Sequence, residues 1–522
     1  MNTNHRFATA FVLLAAGIIP ACSSFGGDGG SQPKPADPAQ GGGDGGDGPK
    51  AKPVEGTPDA SDLNETLGVF VAPNGRPNAE GTREHPLLAV QAGIDLGKKL
   101  GKRVYVCTGT YREVLTIADS ISVIGGLYCS GNTWRLGAPR SRIESPTSPA
   151  IIANDVVSPT RLEGLDVVAP NATGPSTSSI GMQAVRSPGI AIASSKVTAG
   201  DGADGANGTN GVQLGQQGAV NGTSSLPAAM CVKGDTCAQF GFDGEWAANS
   251  APGGTSVCAG AAGHDGLPGG FGGPASLWAP IFEAVSHTFI WSRYKDLVYG
   301  ESKPGTAGAD AADGPVGSPF GTFGEGGYLP AAGNAGTDGA PGNGGRGGRG
   351  SDGNGLPAAG SAVGTVWRAV SGDAGGAGGC PGLAGTPGTG GGGSIALALV
   401  ESPLTVDGSE LVSAKGGAAG RGVFGSEPTA GGTAGASWSA DPTFTGRSGG
   451  RGGLAGVSTN GSSGPSLGVI HTGAAPKILG TTRITPGPGG TSIPAQVRTD
   501  ALGNTKTIPG TAAGLSEAVH AL

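Results

Sequence analysis

Charged and aromatic side chains are scarce: 14% of the 522 residues are Asp, Glu, Lys or Arg, and 5% are Phe, Trp or Tyr. An ordinary soluble domain carries roughly 25% charged residues, so the composition argues against one large, conventionally packed enzyme core. No apolar run reaches the ~20 residues of a membrane-spanning helix. Lys and Arg are scattered and the net charge is −7, which gives a weakly acidic solvated surface and no basic stripe for nucleic acid. The phosphate-binding loop G-x-x-x-x-G-K-S/T and the H-E-x-x-H helix are both missing. No C-x-x-C pair occurs and the six histidines have no ligand spacing, so neither a metal nor a cofactor is expected. In place of these stand 107 glycines and 39 prolines. Full-length collagen is ruled out, because it needs glycine at one residue in three throughout.

The N-terminus reads as an export signal. Arg6 precedes an apolar stretch from Phe7 to Ile19, too short for a permanent span and suited to a signal h-region. The run Ile19-Pro20-Ala21-Cys22 resembles the bacterial lipobox, with Pro20 a mild departure. The resemblance implies that residues 1–21 are removed and that Cys22 becomes a diacylated N-terminus, anchoring the chain to a membrane far more strongly than one acyl chain does. Ser23 follows, not Asp. By resemblance to Gram-negative lipoprotein sorting, that favours the outer membrane or cell surface. Residues 22–62 are Gly- and Pro-rich with no recurring apolar position. Nothing there offsets ordering entropy, so a disordered tether is expected.

From residue 63 to 200 the pattern changes. Val69–Pro73 reads as a strand, and Pro86–Leu100 as a short amphipathic helix with Lys98, Lys99 and Lys102 at its end, where cations suit the helix dipole. Short β-branched runs follow at Val104–Cys107, Val114–Ile117, Ile121–Ile124, Ala150–Ile152, Leu162–Val168 and Ile190–Ile192. Runs this short, broken by Gly, Pro, Asn and Ser, predict an all-β coiled parallel sheet whose turns stack. The stretch Val69–Cys129 resembles the N-terminal cap and first coils of right-handed parallel β-helix proteins. Gly109–Glu113, GTYRE, is similar to a strand and turn of pectin methylesterases. The catalytic Asp segment of that family has no counterpart here, nor does the Asp and Lys/Arg signature of pectate lyases. Arg112 and Glu113 are therefore read as a structural turn pair.

Three segments align without gaps: Ser179–Gly202, Ser394–Gly417 and Ser466–Gly489. Ser187-Pro188 matches Ser402-Pro403, Val197 matches Val412, and Ile484 takes the same place in the third. Ser361–Gly376 is a weaker relative. Each is read as one β-coil returning to a common stack. Between them, within residues 201–490, glycine recurs every third residue: at 202–211, 260–272, 333–348, 376–391 and 450–456. Period three is that of the polyproline II helix, and it puts each glycine set on one edge. Such helices have no internal hydrogen bonds, so their backbone groups pair between segments or with water. Packed extended insertions and disordered loops are both open readings; collagen-like trimers are a third. The composition and period of Ser179–Gly490 resemble the PGRS-type glycine-rich surface proteins of bacteria, in lipoprotein form.

Besides Cys22, six cysteines remain: an even number, which in an exported chain reads as up to three disulfides. Cys107 and Cys129 are 22 residues apart at the ends of strand runs, one coil of separation. Cys231 and Cys237 close a small loop, and Cys258 with Cys380 then joins two glycine blocks. Gly347–Asp352 fits the start of a calcium-binding nonapeptide, but one copy builds no stacked site. The aromatic stretch Leu277–Tyr299 has two readings: a cap or hairpin on the stack, or a contact platform of Trp278, Phe289, Trp291 and Tyr294 for a glycan or partner. Ala513–Leu522, within the tail 491–522, is read as a short helix. The expected function is that of a non-enzymatic, lipid-anchored surface protein, structural or adhesive, meeting glycans or surface matrix. The alternative is a β-helix protein that binds or degrades polysaccharide.

Overall fold

Valine, isoleucine and leucine alternate with polar residues in short runs, and each run ends at a residue that accepts a tight corner. The chain uses these runs as rungs. The structure is a computed structural model describing residues 57–212, 220–224, 251–256, 258, 265–267, 278–283, 288–293, 303–348, 372–436, 445–500 and 503–522. One parallel sheet takes Gly68–Arg76, Arg103–Cys107, Val123–Ser130, Thr160–Glu163, Ile190–Ala193, Thr405–Asp407 and Lys477–Leu479 in that order. A second takes Thr110–Tyr111, Ser141–Glu144, Leu165–Val168, Lys196–Thr198, Glu410–Val412 and Arg483–Thr485. A third takes Leu115–Ile117, Ile151–Asn154, Ser179–Val185, Ser394–Val400, Ser466–Thr472 and Ser516–Ala521. From Arg103 onward the chain visits first, second and third sheet in the same rotation.

Register stacks like on like. Val104, Val123, Leu162, Ile192 and Val406 form one apolar ladder. Tyr111, Ile143, Val167, Val197 and Leu411 form the second. Leu115, Ile151, Met182, Leu397 and Val469 form the third. All are buried and share one core. The helix α1 (Val90–Leu100) closes its N-terminal end with Val90 and Ile94. Its Gly93 sits so close to Val71 and Val104 that a Cβ would lie 2.6 Å and 2.9 Å from their methyls.

Two corners repeat with left-handed backbone. Between first and second sheets stand Gly164 (φ 67°), Ser194 (47°) and Gly408 (54°); between third and first stand Asp155 (56°), Arg186 (47°) and Glu401 (48°). The run expected as one strand from Leu162 to Val168 is thus broken at Gly164, its halves in different sheets. Ser187 and Ser402 follow one corner, Ser195 and Ser409 the other, all buried. Their hydroxyls accept from the winding before: Ser187 N–H donates to Ser402 Oγ at 2.9 Å, and Ser195 N–H to Ser409 Oγ at 3.1 Å. The short helix expected at Ala513–Leu522 is instead the strand Ser516–Ala521, because pairing with Ser466–Thr472 places Val519 on Val469 and completes the ladder. The tail before it holds an antiparallel hairpin, Gln496–Thr499 with Thr505–Ile508.

The long insertions all leave at the corner between second and third sheets, after Thr198, Val412 and Thr485. The third-sheet serine holds each exit and return together. Ser179 Oγ accepts from Gly200 N–H, Ser394 Oγ donates to Gly200 O, and Ser466 Oγ donates to Ala414 O. Beyond that point the described glycine blocks are packed and hydrogen-bonded to one another. Residues 372–392 run through the middle. The N–H groups of Gly376, Gly379 and Gly382 donate to Arg447, Gly450 and Gly453 on one side, and their carbonyls accept from Gly345, Gly342 and Gly339 on another. Gly432, Thr429 and Ser426 donate to Ala377, Cys380 and Leu383 from a third side. A segment with neighbours on several sides needs more than one bare edge, and here the sequence reads AGGAGG. A Cβ on Gly376 would lie 2.0 Å from Gly432 O, and one on Gly378 1.7 Å from Gly342 O.

Gly378→Ala is expected to cost about 3 kcal/mol, the upper range for an overpacked interior. Gly326 meets nothing within 4 Å, and its replacement by Ala is expected to stay within about 0.5 kcal/mol of the parent. Hydrogen exchange read by mass spectrometry over residues 331–348 and 372–392 checks this; undiminished protection in Gly378→Ala would refute the close-approach account.

Candidate interaction surface

An extended threefold segment still has N–H groups to place after its glycines are paired. The residue before the lattice glycine solves part of this. Gly202 N–H donates to Lys415 O at 2.9 Å, and Lys415 N–H returns to Asp201 Oδ1 at 3.0 Å. Gly205 and Asp204 hold Ala418 the same way, and Gly208 and Asn207 hold Arg421. Asn221 holds Thr433; Asp310 and Asp313 hold Leu454 and Val457. Each Asx thus makes a reciprocal two-bond clamp with its following residue. The Leu454 N–H holds the Asp310 carboxyl below its ordinary value; partial burial opposes this, and Arg451 adds to it. These exposed acids are bound into the lattice and are not a free anionic patch.

The antiparallel neighbours 303–317 and 331–348 present a face of small side chains. Asn343, Ala340 and Thr337 N–H groups donate to Thr306, Ala309 and Ala312 carbonyls at 2.9, 3.0 and 3.1 Å. Asn343 Nδ2 also donates to Thr306 Oγ1 at 2.6 Å. Thr306, Ala309, Ala312, Thr337 and Asn343 are exposed. Their triplet repeat is about 9 Å. Such a face offers hydroxyls, an amide and methyls at fixed intervals, on a backbone with little freedom to move.

The second sheet's outer side is different. Arg142, Asp166, Lys196, Glu410 and Arg483 stand in register, alternating in sign. Arg142 reaches Asp166 at 2.7 Å, and Arg140 reaches Glu410 at 3.0 Å, holding the Glu410 carboxyl below its ordinary value. The ladder neutralises itself along its length. Among the described residues no group of three or more His, Cys, Asp or Glu side chains could hold a metal ion. No described helix is long and apolar enough to cross a membrane.

The structure joins Cys107 to Cys129, with Cα atoms 5.9 Å apart, and Cys258 to Cys380, 5.3 Å apart. Cys22, Cys231, Cys237 and the Arg349–Asp352 part of the nonapeptide-like motif lie outside the described residues. In the aromatic stretch, Trp278–Glu283 and Thr288–Arg293 pair as an antiparallel hairpin that sets Pro280 opposite Trp291 and Phe282 opposite Phe289. Tyr294 lies outside the described residues. Arg112 reaches Glu144 at 3.5 Å. Glu113 has a role that the sequence did not reveal. Its carboxylate accepts from Val90 and Gln91 N–H, each at 2.8 Å, and caps α1 in place of Ala89, which has no side-chain acceptor. A contact across 23 residues leaves no local pattern. The depression beside it, about 270 Å³ and lined by Pro73, Leu88, Tyr111 and Arg112, has its helix end already filled by that carboxylate.

No family model, curated protein or solved structure matches the chain.

Two outcomes are expected from the clamps. Asp204→Asn keeps the acceptor and leaves denaturant stability near the parent's, while Asp204→Ala lowers it by about 1 kcal/mol. Asp310 also makes the lattice acid-sensitive. Its folded pKa is lowered, so its contribution is complete above the ordinary value of 3.8 and is lost as pH falls through the folded value. Melting curves from about pH 6 to about pH 2 should fall less steeply for Asp310→Asn, and parallel curves would contradict this.

Proposed function

We propose that this is a lipid-anchored cell-surface protein with a structural or adhesive role. Its body is a right-handed parallel β-helix from which a glycine lattice is built out at one corner. The handedness follows the rule that parallel strands joined by crossovers in one sheet wind right-handed in about 98% of cases. The observation that carries the function is the lattice itself. Its insertions spend their backbone hydrogen bonds on one another and present the flat Thr306–Ala312 and Thr337–Asn343 face, which suits lateral contact with an extended glycan or matrix polymer. The chemistry of Ile19-Pro20-Ala21-Cys22 supports the anchor, and the glycine period supports kinship with PGRS-type surface proteins.

Protease shaving of intact cells is expected to release peptides from residues 303–348, and mass spectrometry to find a diacylated Cys22 at the mature N-terminus. An unmodified Cys22, or no release from intact cells, would overturn the assignment. Turnover of polysaccharide by the purified soluble body would replace the adhesive role with an enzymatic one.

A further inference from the structure

Asparagine followed by glycine is a reactive pair. The glycine nitrogen, once it loses its proton to solvent base, attacks the side-chain Cγ. The Cγ–Nδ2 bond breaks and ammonia leaves a five-membered succinimide. Water then opens either C–N bond, giving aspartate or isoaspartate. The attack requires the backbone to rotate out of extended geometry and the glycine N–H to be free.

The lattice treats two such pairs in one segment differently. At Asn207-Gly208, both reacting groups are engaged: Gly208 N–H donates to Arg421 O, and Asn207 Oδ1 accepts from Arg421 N–H, each at 2.8 Å. Asn221-Gly222 is held likewise by Thr433. At buried Asn460, Gly461 N–H donates to Gly420 O, while the side chain binds Gly422 N–H and Pro509 O. Asn210-Gly211 lies one triplet beyond Asn207, and its clamp would require Phe424. The partner segment has turned away there. Val423 exchanges both backbone bonds with Ser458, and Gly425 has φ 76°. Asn210 is exposed, and neither its side chain nor Gly211 N–H has a hydrogen-bond partner among the described residues.

We propose that Asn210 is a site of spontaneous deamidation, while Asn207, with the same following residue, is kept unreactive by its clamp. Asparagine in a clamp and aspartate in a clamp serve equally, as Asp201 and Asp204 do beside Asn207. Isoaspartate is the damaging product, because it lengthens the main chain by one carbon and shifts the triplet phase beyond it.

The test incubates the native full chain at mildly alkaline pH and follows each site by peptide mapping that separates aspartate from isoaspartate. Asn210 is expected to convert at least about tenfold faster than Asn207, the factor one lattice hydrogen bond is worth. In denaturant the two rates should approach each other. Equal native rates, or a ratio that persists in denaturant, would each overturn the proposal. The native-against-denatured comparison needs no variant.

Discussion

An extended threefold segment cannot satisfy its own backbone. Every N–H and C=O has to be met from outside, by another segment or by water. That one requirement organises the glycine blocks. Neighbours have to approach until carbonyl meets amide, and a Cβ on the facing edge would stand about 2 Å from a carbonyl oxygen at position after position. Glycine every third residue is the consequence for a segment with one buried edge. Doubled glycines, as at Gly375-Gly376 and Gly378-Gly379, are the consequence for the segment in the middle. The Asx clamps extend the same logic to the N–H groups that glycine pairing leaves over.

The stack of three sheets works by the opposite principle. Its interior is aliphatic, and its ladders repeat Val, Ile and Leu at in-register positions. The two interiors meet at the serines that open the third-sheet strands. Ser179, Ser394 and Ser466 are buried, and their hydroxyls bind the backbone where the chain leaves one architecture and re-enters the other. An apolar residue there would leave buried amides and carbonyls without partners, at about 1–3 kcal/mol each. The hairpin Thr322–Gly324 with Gly327–Leu329 adds an apolar tie. Its Tyr328 packs with Phe320 and Phe323 over Ile180, Ile395 and Leu467 on the third sheet's outer face.

Much of this can be read in the residues. The β-branched runs mark the rungs, and the gapless alignment of Ser179–Gly202, Ser394–Gly417 and Ser466–Gly489 groups the third-sheet residues as the register pairs them. In the second sheet it slips by one: Val197 lies on Leu411, not Val412, because the winding through Ser402 is one residue shorter before its first-sheet strand. The glycine period identifies the facing edges. What it leaves open is whether those edges find partners, because that depends on contacts between segments up to more than two hundred residues apart. Ser516–Ala521 is misread as helix for a similar reason. Ala, Glu and His carry no strand preference, and the pairing that makes it a strand is wholly tertiary. Thr110–Tyr111 and Lys196–Thr198 are too short to stand out, and the left-handed corners at Asp155, Arg186 and Glu401 carry no glycine to betray them. The candidate surface is legible only in part. The triplets give its spacing, but that Thr306 and Asn343 share a face appears only once segments 303–317 and 331–348 are seen to run antiparallel.

The buried middle of the glycine lattice contains main chain and very few methyl groups. Melting it hydrates mostly amide, and amide hydration lowers heat capacity where hydrocarbon hydration raises it. The lattice therefore unfolds with a small heat-capacity increment per residue. Its free-energy curve against temperature is broad and shallow, without the steep loss on cooling that a hydrocarbon interior imposes. The lattice would keep its shape across a wide range of temperature by the same bareness that lets its segments touch.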